Sequence, residues 1–125
     1  MAWQFNSERP IYTQLLEKIL FLIISGRYPA GSKLPSVRDL ASEASVNPNT
    51  MQRAMAELER SGLIYSQRTA GRFVTDDGVL IQKMKESIAR EKILVFFQEM
   101  EQLGYSPSQS VSLVHKIQDS KEVSL

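Results

Sequence analysis

The chain has 125 residues, 42% of them apolar and 23% charged, which suits one folded domain or one small domain with an appendage. It has no cysteine and a single histidine, His115, which excludes disulfides, thiolate zinc sites, cysteine nucleophiles and any imidazole cluster. The net charge of +1 names no partner: residues 1–76 hold nine Lys/Arg against seven Asp/Glu and the remainder six against seven, so a nucleic-acid partner must be argued from where the cations sit.

In chain order, the start from Met1 to Asn6 carries no basic region or cleavage pattern, and no apolar run approaches ~18 residues. A cytoplasmic location is expected. Ile11, Leu15, Leu16, Ile19, Leu20, Leu22 and Ile23 recur at helical spacing after Pro10, with Gly26 as a stop. Tyr28-Pro29-Ala30-Gly31 is a turn. Ser36 then caps a short helix from Val37 to about Ala44. A tight link, Ser45-Val46-Asn47, leads to a helix that Asn47 caps and Pro48 opens. Met51, Ala54, Met55 and Leu58 share one face of it, and it ends near Ser61-Gly62.

The period then becomes extended. Leu63–Ser66 and Arg72–Thr75 read as two short strands around Gln67–Gly71. Three helices followed by a hairpin is the order of a winged helix-turn-helix. Asp76-Asp77-Gly78 looks like a joint; a long helix over about 79–103 follows, stopped by Gly104, and Ser106-Pro107 starts a last helix to about Gln118. The fold class expected is mainly α with a small β-hairpin: a winged helix-turn-helix DNA-binding domain over 1–76 and a two-helix dimerisation segment over 77–125.

The long helix is apolar on most sides. Leu80, Ile81, Met84 and Ile88 form one stripe, and Ile93, Leu94, Val95, Phe96, Phe97, Met100 and Leu103 cover nearly the whole circumference beyond it. Val111, Val114 and Ile117 of the last helix can cover one face only, and two helices are too few to bury a core alone. The rest calls for a second copy, with Leu80, Ile81, Met84, Ile88, Val95, Phe96, Phe97 and Met100 at a homodimer interface. A membrane-surface helix is the rival, but Glu86, Glu91, Glu99 and Glu101 offset Lys83, Lys85, Arg90 and Lys92, so no cationic face results and no membrane partner is expected.

The polar residues at the start of the third helix suit double-stranded DNA. Asn47, Asn49 and Thr50 sit where free N–H groups and the helix dipole favour a phosphate. On the next turn, Gln52 can pair with adenine and Arg53 with guanine. They point about 100° apart, so at least one is expected to face Glu57 or solvent. Arg68 and Arg72 flank a small tip, Thr69-Ala70-Gly71, narrow enough for a minor groove. Each has a blander role as well: Ser36 and Asn47 as caps, Arg68 and Arg72 as solvated charges.

Several strings occur in uninterrupted order: Pro10-Ile11-Tyr12-Thr13-Gln14-Leu15, Lys33-Leu34-Pro35-Ser36-Val37-Arg38-Asp39-Leu40-Ala41, Val46-Asn47-Pro48-Asn49-Thr50, Leu58-Glu59-Arg60-Ser61-Gly62-Leu63-Ile64 and Gly71-Arg72-Phe73-Val74. Over roughly residues 10–75 the chain resembles the GntR family of bacterial transcriptional regulators, and its short helical tail resembles the YtrA-type subfamily. The resemblance implies a homodimeric DNA-binding regulator, often of a neighbouring ABC-transporter operon. It places Arg38 at the DNA, chiefly on phosphate, and with the residues read above the expected DNA-contacting set is Ser36, Arg38, Asn47, Asn49, Thr50, Gln52, Arg53, Arg68, Gly71 and Arg72. Two departures stand out: Pro48 and Gln52 occupy positions where many relatives have arginine, and Thr69 replaces the first glycine of the usual Gly-x-Gly wing.

The function expected is sequence-specific repression by a homodimer on a two-fold-related operator; the alternative is a winged-helix adapter for a protein partner. An enzyme is not expected, for there is no phosphate-cradling glycine loop, metal-ligand set or nucleophile-base pair. No cofactor, metal or catalytic residue is expected. A small-molecule effector of unidentified class could lodge between the wing domain and the dimer helices, provided that it binds two states unequally.

Overall fold

Helix α1 (Ile11–Ile24) begins at Pro10, which supplies a fixed backbone and no side-chain cap. Its buried face is Leu15, Ile19, Leu22 and Ile23, at helical spacing. Gln14 is the buried polar exception: its amide accepts from the Asn6 N–H at 3.0 Å and donates to the carbonyls of Asn6 and Arg9 at 2.9 and 3.0 Å. That clamp fixes the segment ahead of α1, whose Trp3 and Phe5 pack against the core. Past Gly26, at φ +86°, the Tyr28 N–H returns to the Leu22 carbonyl at 2.9 Å and ends the helix.

Helix α2 (Val37–Ala44) is capped by Ser36, whose Oγ accepts from the Asp39 N–H at 3.0 Å. It ends on Ser45 in the left-handed region, at φ 58°, which makes the tight turn into α3 (Pro48–Arg60). Asn47 caps α3 through Oδ1, accepting from the Asn49 N–H at 2.8 Å, and Pro48 fills a first-turn position that needs no N–H. Met51, Ala54, Met55 and Leu58 face inward.

Strands β1 (Ile64–Gln67) and β2 (Gly71–Val74) pair antiparallel, with Ser66 opposite Arg72 and Tyr65 opposite Phe73. The strands sit one residue from their expected bounds because the loop is only Arg68-Thr69-Ala70. Thr69 at φ 65° and Gly71 at φ 104° reverse the chain there. A third segment joins the hairpin that periodicity did not reveal: Lys33 bridges Phe73, with Leu34 N–H to Arg72 O and Val74 N–H to Ser32 O, both 2.9 Å.

The structure is a computed structural model that describes residues 3–120, and it divides into two compact units after Lys85. The core of the first unit is formed by α1, α2, α3 and the hairpin around Leu15, Ile19, Leu40, Met51, Met55 and Val74. Helix α4 (Gly78–Gln102) starts at Asp77, whose Oδ1 accepts from the N–H groups of Val79 and Leu80 at 3.1 Å each. The first unit runs past residue 76 because Leu80, Ile81 and Met84 pack, partly buried, on that core. These three were expected at a dimer interface, and their apolar surface is largely used within the chain.

The second unit holds the rest of α4 and α5 (Pro107–Asp119). Gly104, at φ +97°, ends α4. A reciprocal cap starts α5: Ser106 Oγ accepts from the Gln109 N–H at 3.2 Å, and Gln109 Oε1 accepts from the Ser106 N–H at 2.8 Å. The covered face of α5 is Ser110, Leu113 and Ile117, not the expected Val111 and Val114, which are 43% and 45% exposed. Residues three and seven along from Ser110 share its face, and Val111 lies about 100° away.

Candidate nucleic-acid interface

The amino end of α3 is an exposed polar surface. Asn47, Asn49, Gln52 and Arg53 are all exposed, while Thr50 is half-buried, its N–H spent on the Asn47 carbonyl at 3.0 Å. Asn47 uses Oδ1 as the cap, which leaves its NH₂ group to donate outward. Gln52 has no hydrogen-bond partner among the described residues, whereas Arg53 has its guanidinium carbon 3.7 Å from the centroid of the Tyr12 ring. Tyr12 of α1 thus supports Arg53 from one face, as a ring supports a cation. Glu57 takes neither of the pair; it accepts from Arg60 at 2.8 Å.

A second polar surface lies between the start of α2 and the hairpin. Lys33, Ser36, Arg38, Thr69, Gly71 and Arg72 line an open cleft of about 680 Å³. Three cations converge there, and Arg38 is exposed. Sequence reasoning missed Lys33. The signal was a basic residue directly before Leu34-Pro35-Ser36, but only the pairing of this segment with β2 brings it to the wing. Its side chain crosses Gly71: a Cβ on that glycine would stand 3.1 Å from Lys33 Cε, and φ there is already +104°. Arg68 is exposed at the loop.

One carboxylate joins α3 to the hairpin. Glu59 Oε1 accepts from Ser66 Oγ at 2.7 Å and from Arg72 Nε at 2.9 Å. The Ser66 hydroxyl and then Arg72 hold its carboxyl below the ordinary glutamate range. Among the described residues there is no group of His, Asp and Glu that could hold a metal, and no helix long and apolar enough to cross a membrane.

A short α2–turn–α3 unit, an exposed polar end on its second helix and a hairpin beside it define a winged helix-turn-helix. The sequence pattern described as "Bacterial regulatory proteins, gntR family" matches residues 11–74, and the chain belongs to the GntR family. Among curated relatives it is 37% identical to the uncharacterized HTH-type transcriptional regulator YhcF of Bacillus subtilis, over 81% of this chain and 84% of that protein. It is 34% identical to the HTH-type transcriptional repressor YtrA of the same organism, over 78% and 71%. A solved GntR family regulator from Listeria monocytogenes superposes with a TM-score of 0.83 at 40% identity, covering 90% of this chain and 98% of that one. The AraR DNA-binding domain in complex with operator ORX1 superposes with a TM-score of 0.55 at 26% identity, covering 60% and 95%. The protein is a GntR-family DNA-binding transcriptional regulator.

Proposed function

We propose that the protein is a homodimeric repressor that binds a two-fold-related operator with α3 in the major groove and the hairpin loop against the neighbouring minor groove. The observation that carries this reading is the pairing, in one unit, of the exposed Asn47–Arg53 end of α3 with the cleft holding Lys33, Arg38 and Arg72. The helix end offers side chains that match base edges; the cleft offers cations that match phosphate. Gln52 is the principal base reader, since Arg53 is engaged with Tyr12. Asn47, Asn49 and Thr50 meet the backbone or adjacent base edges. Ser36, Arg38 and Arg72 hold phosphate together with Lys33, and Arg68 and Gly71 serve the loop that enters the minor groove.

Dimerisation is supported by Ile93, Leu94, Val95 and Leu103 of α4 and by Val111 and Val114 of α5, all exposed. Ile88, Phe96, Phe97 and Met100 are half-buried beside them. With Leu80, Ile81 and Met84 largely covered by the first unit, the interface rests on the residues from Ile88 onward. Repression, by steric block of a promoter, is supported by the likeness to the repressor YtrA. Control of an adjacent ABC-transporter operon follows the same resemblance, and a cytoplasmic location follows from a chromosomal target.

The test is a fluorescence-anisotropy titration of the protein against duplex from the region upstream of its own gene, beside a shuffled duplex, each at two salt concentrations. Tight, salt-sensitive binding that prefers the upstream duplex is expected. Absence of binding to either at low salt would overturn the reading in favour of a protein adapter.

A further inference from the structure

We infer that Glu59 is a positioning residue for DNA binding: it holds the wing arginine, Arg72, at the edge of the cleft shared with Lys33, Ser36 and Arg38. The inference rests on the reading of that cleft as a phosphate site. Glu59 lies in the last turn of α3, and Ser66 and Arg72 are opposite each other on β1 and β2. A single oxygen, Oε1, accepts from both, at 2.7 and 2.9 Å. One carboxylate therefore fixes a cross-strand pair to the helix whose other end reads DNA.

The geometry also says how Arg72 is oriented. It is engaged through Nε, which leaves the two terminal nitrogens of its guanidinium with no partner among the described residues. Arg72 is three-quarters covered, with 23% of its side chain exposed, so its direction is set by its surroundings more firmly than that of Arg68 or Arg38. Lys33 crosses Gly71, the residue next to Arg72, and brings a second cation to the same edge. Left alone, these like charges would spread apart; the carboxylate offsets part of that repulsion.

Electrostatics by itself argues the other way, and this gives the inference its test. A carboxylate beside a surface that binds a polyanion repels it, so removing the charge should tighten binding to any DNA. Loss of affinity on removal occurs only if holding Arg72 outweighs that repulsion.

The probe is a duplex selected from a random pool by the wild-type protein, titrated by anisotropy over a range of salt. Glu59→Ala should weaken binding about fivefold and lower the salt slope by about one, even though it adds a unit of positive charge. Glu59→Gln keeps an acceptor for Ser66 and Arg72 and should recover most of the loss. In an Arg72→Ala background, Glu59→Ala should bring no further loss. Circular dichroism and the unfolding midpoint identify a variant that has not folded. Should Glu59→Ala be one, Glu59→Asp carries the test: it keeps the charge, draws the carboxylate back from Ser66 and Arg72, and should weaken binding to a similar degree. Unchanged or tighter binding by Glu59→Ala, or an equal loss with Arg72 already absent, would overturn the inference. If the wild-type protein selects no duplex at all, the reading beneath it fails first.

Discussion

Gln52 and Arg53 are neighbours in sequence and diverge in the fold, and the difference can be measured without DNA. A cation on an exposed ring contributes about 0.5–1 kcal/mol, so Arg53→Ala should lower the urea unfolding free energy by that amount while Gln52→Ala leaves it unchanged. With DNA the order reverses. Gln52→Ala should alter preference at particular base pairs by about 1–3 kcal/mol, whereas Arg38→Ala should weaken all sequences alike and reduce the salt slope by about one. A change of base preference in Arg38→Ala with an intact salt slope would reverse these assignments. Glu59 adds a pH dependence. Its folded carboxyl titrates below its unfolded value, so its contribution to stability is fully present above the unfolded pKa and is lost as pH falls through the folded one. Acid titration of Glu59→Gln should lack that component, which a comparison of unfolding midpoints between neutral pH and the acid range would show.

Among the elements, the α2–α3 turn carries a local cost. Ser45 sits at φ 58°, where a residue with a Cβ is disfavoured by about 1–2 kcal/mol relative to glycine. Ser45→Gly should therefore raise stability by about 1 kcal/mol without moving either helix, as thermal unfolding would report. Helices α1, α2, α3 and α5 were legible from sequence because their signals are local: Ser36, Asn47 and Ser106 announce the caps, and Met51 to Leu58 the buried face. The hairpin was legible in kind and displaced by one residue, since Thr69 gives no sign of a positive φ in its composition. The pairing of Lys33 with Phe73 was not legible, because it joins residues forty positions apart with no periodicity to mark it. For that reason Lys33 had no role in the sequence pattern, whereas Ser36 was marked by its cap, Arg72 by the wing tip and Arg38 by the family resemblance. The covered face of α5 was legible only at Ile117: Val111 and Val114 are apolar yet exposed, and Ser110, a small polar residue with no apolar signal, is fully buried.

Taken whole, the second unit carries a run of exposed apolar side chains, Ile93, Leu94, Val95, Leu103, Val111 and Val114, while the proposed reading surface lies in the first. If those side chains meet a second copy, placing a charge among them should dissociate the dimer. Val95→Glu and Leu94→Glu are expected to sediment as monomers at micromolar concentration, with unfolding of the first unit unchanged and binding to a full operator weakened by the loss of the linked second half-site. A wild-type protein that is itself a stable monomer at that concentration would refute the dimer.

The scarcity of charge at the start of α3 has a consequence for how the protein searches a genome. Its first two turns hold one cation, Arg53, and that one is engaged with Tyr12; the neighbours Pro48 and Gln52 are neutral. The end of α3 by itself therefore displaces few counterions, and on random sequence the electrostatic hold would rest on the cations of the cleft and wing, Lys33, Arg38, Arg68 and Arg72. Sliding along random chromosomal DNA would then be carried by the wing and cleft, with α3 engaging only where its neutral side chains meet matching base edges.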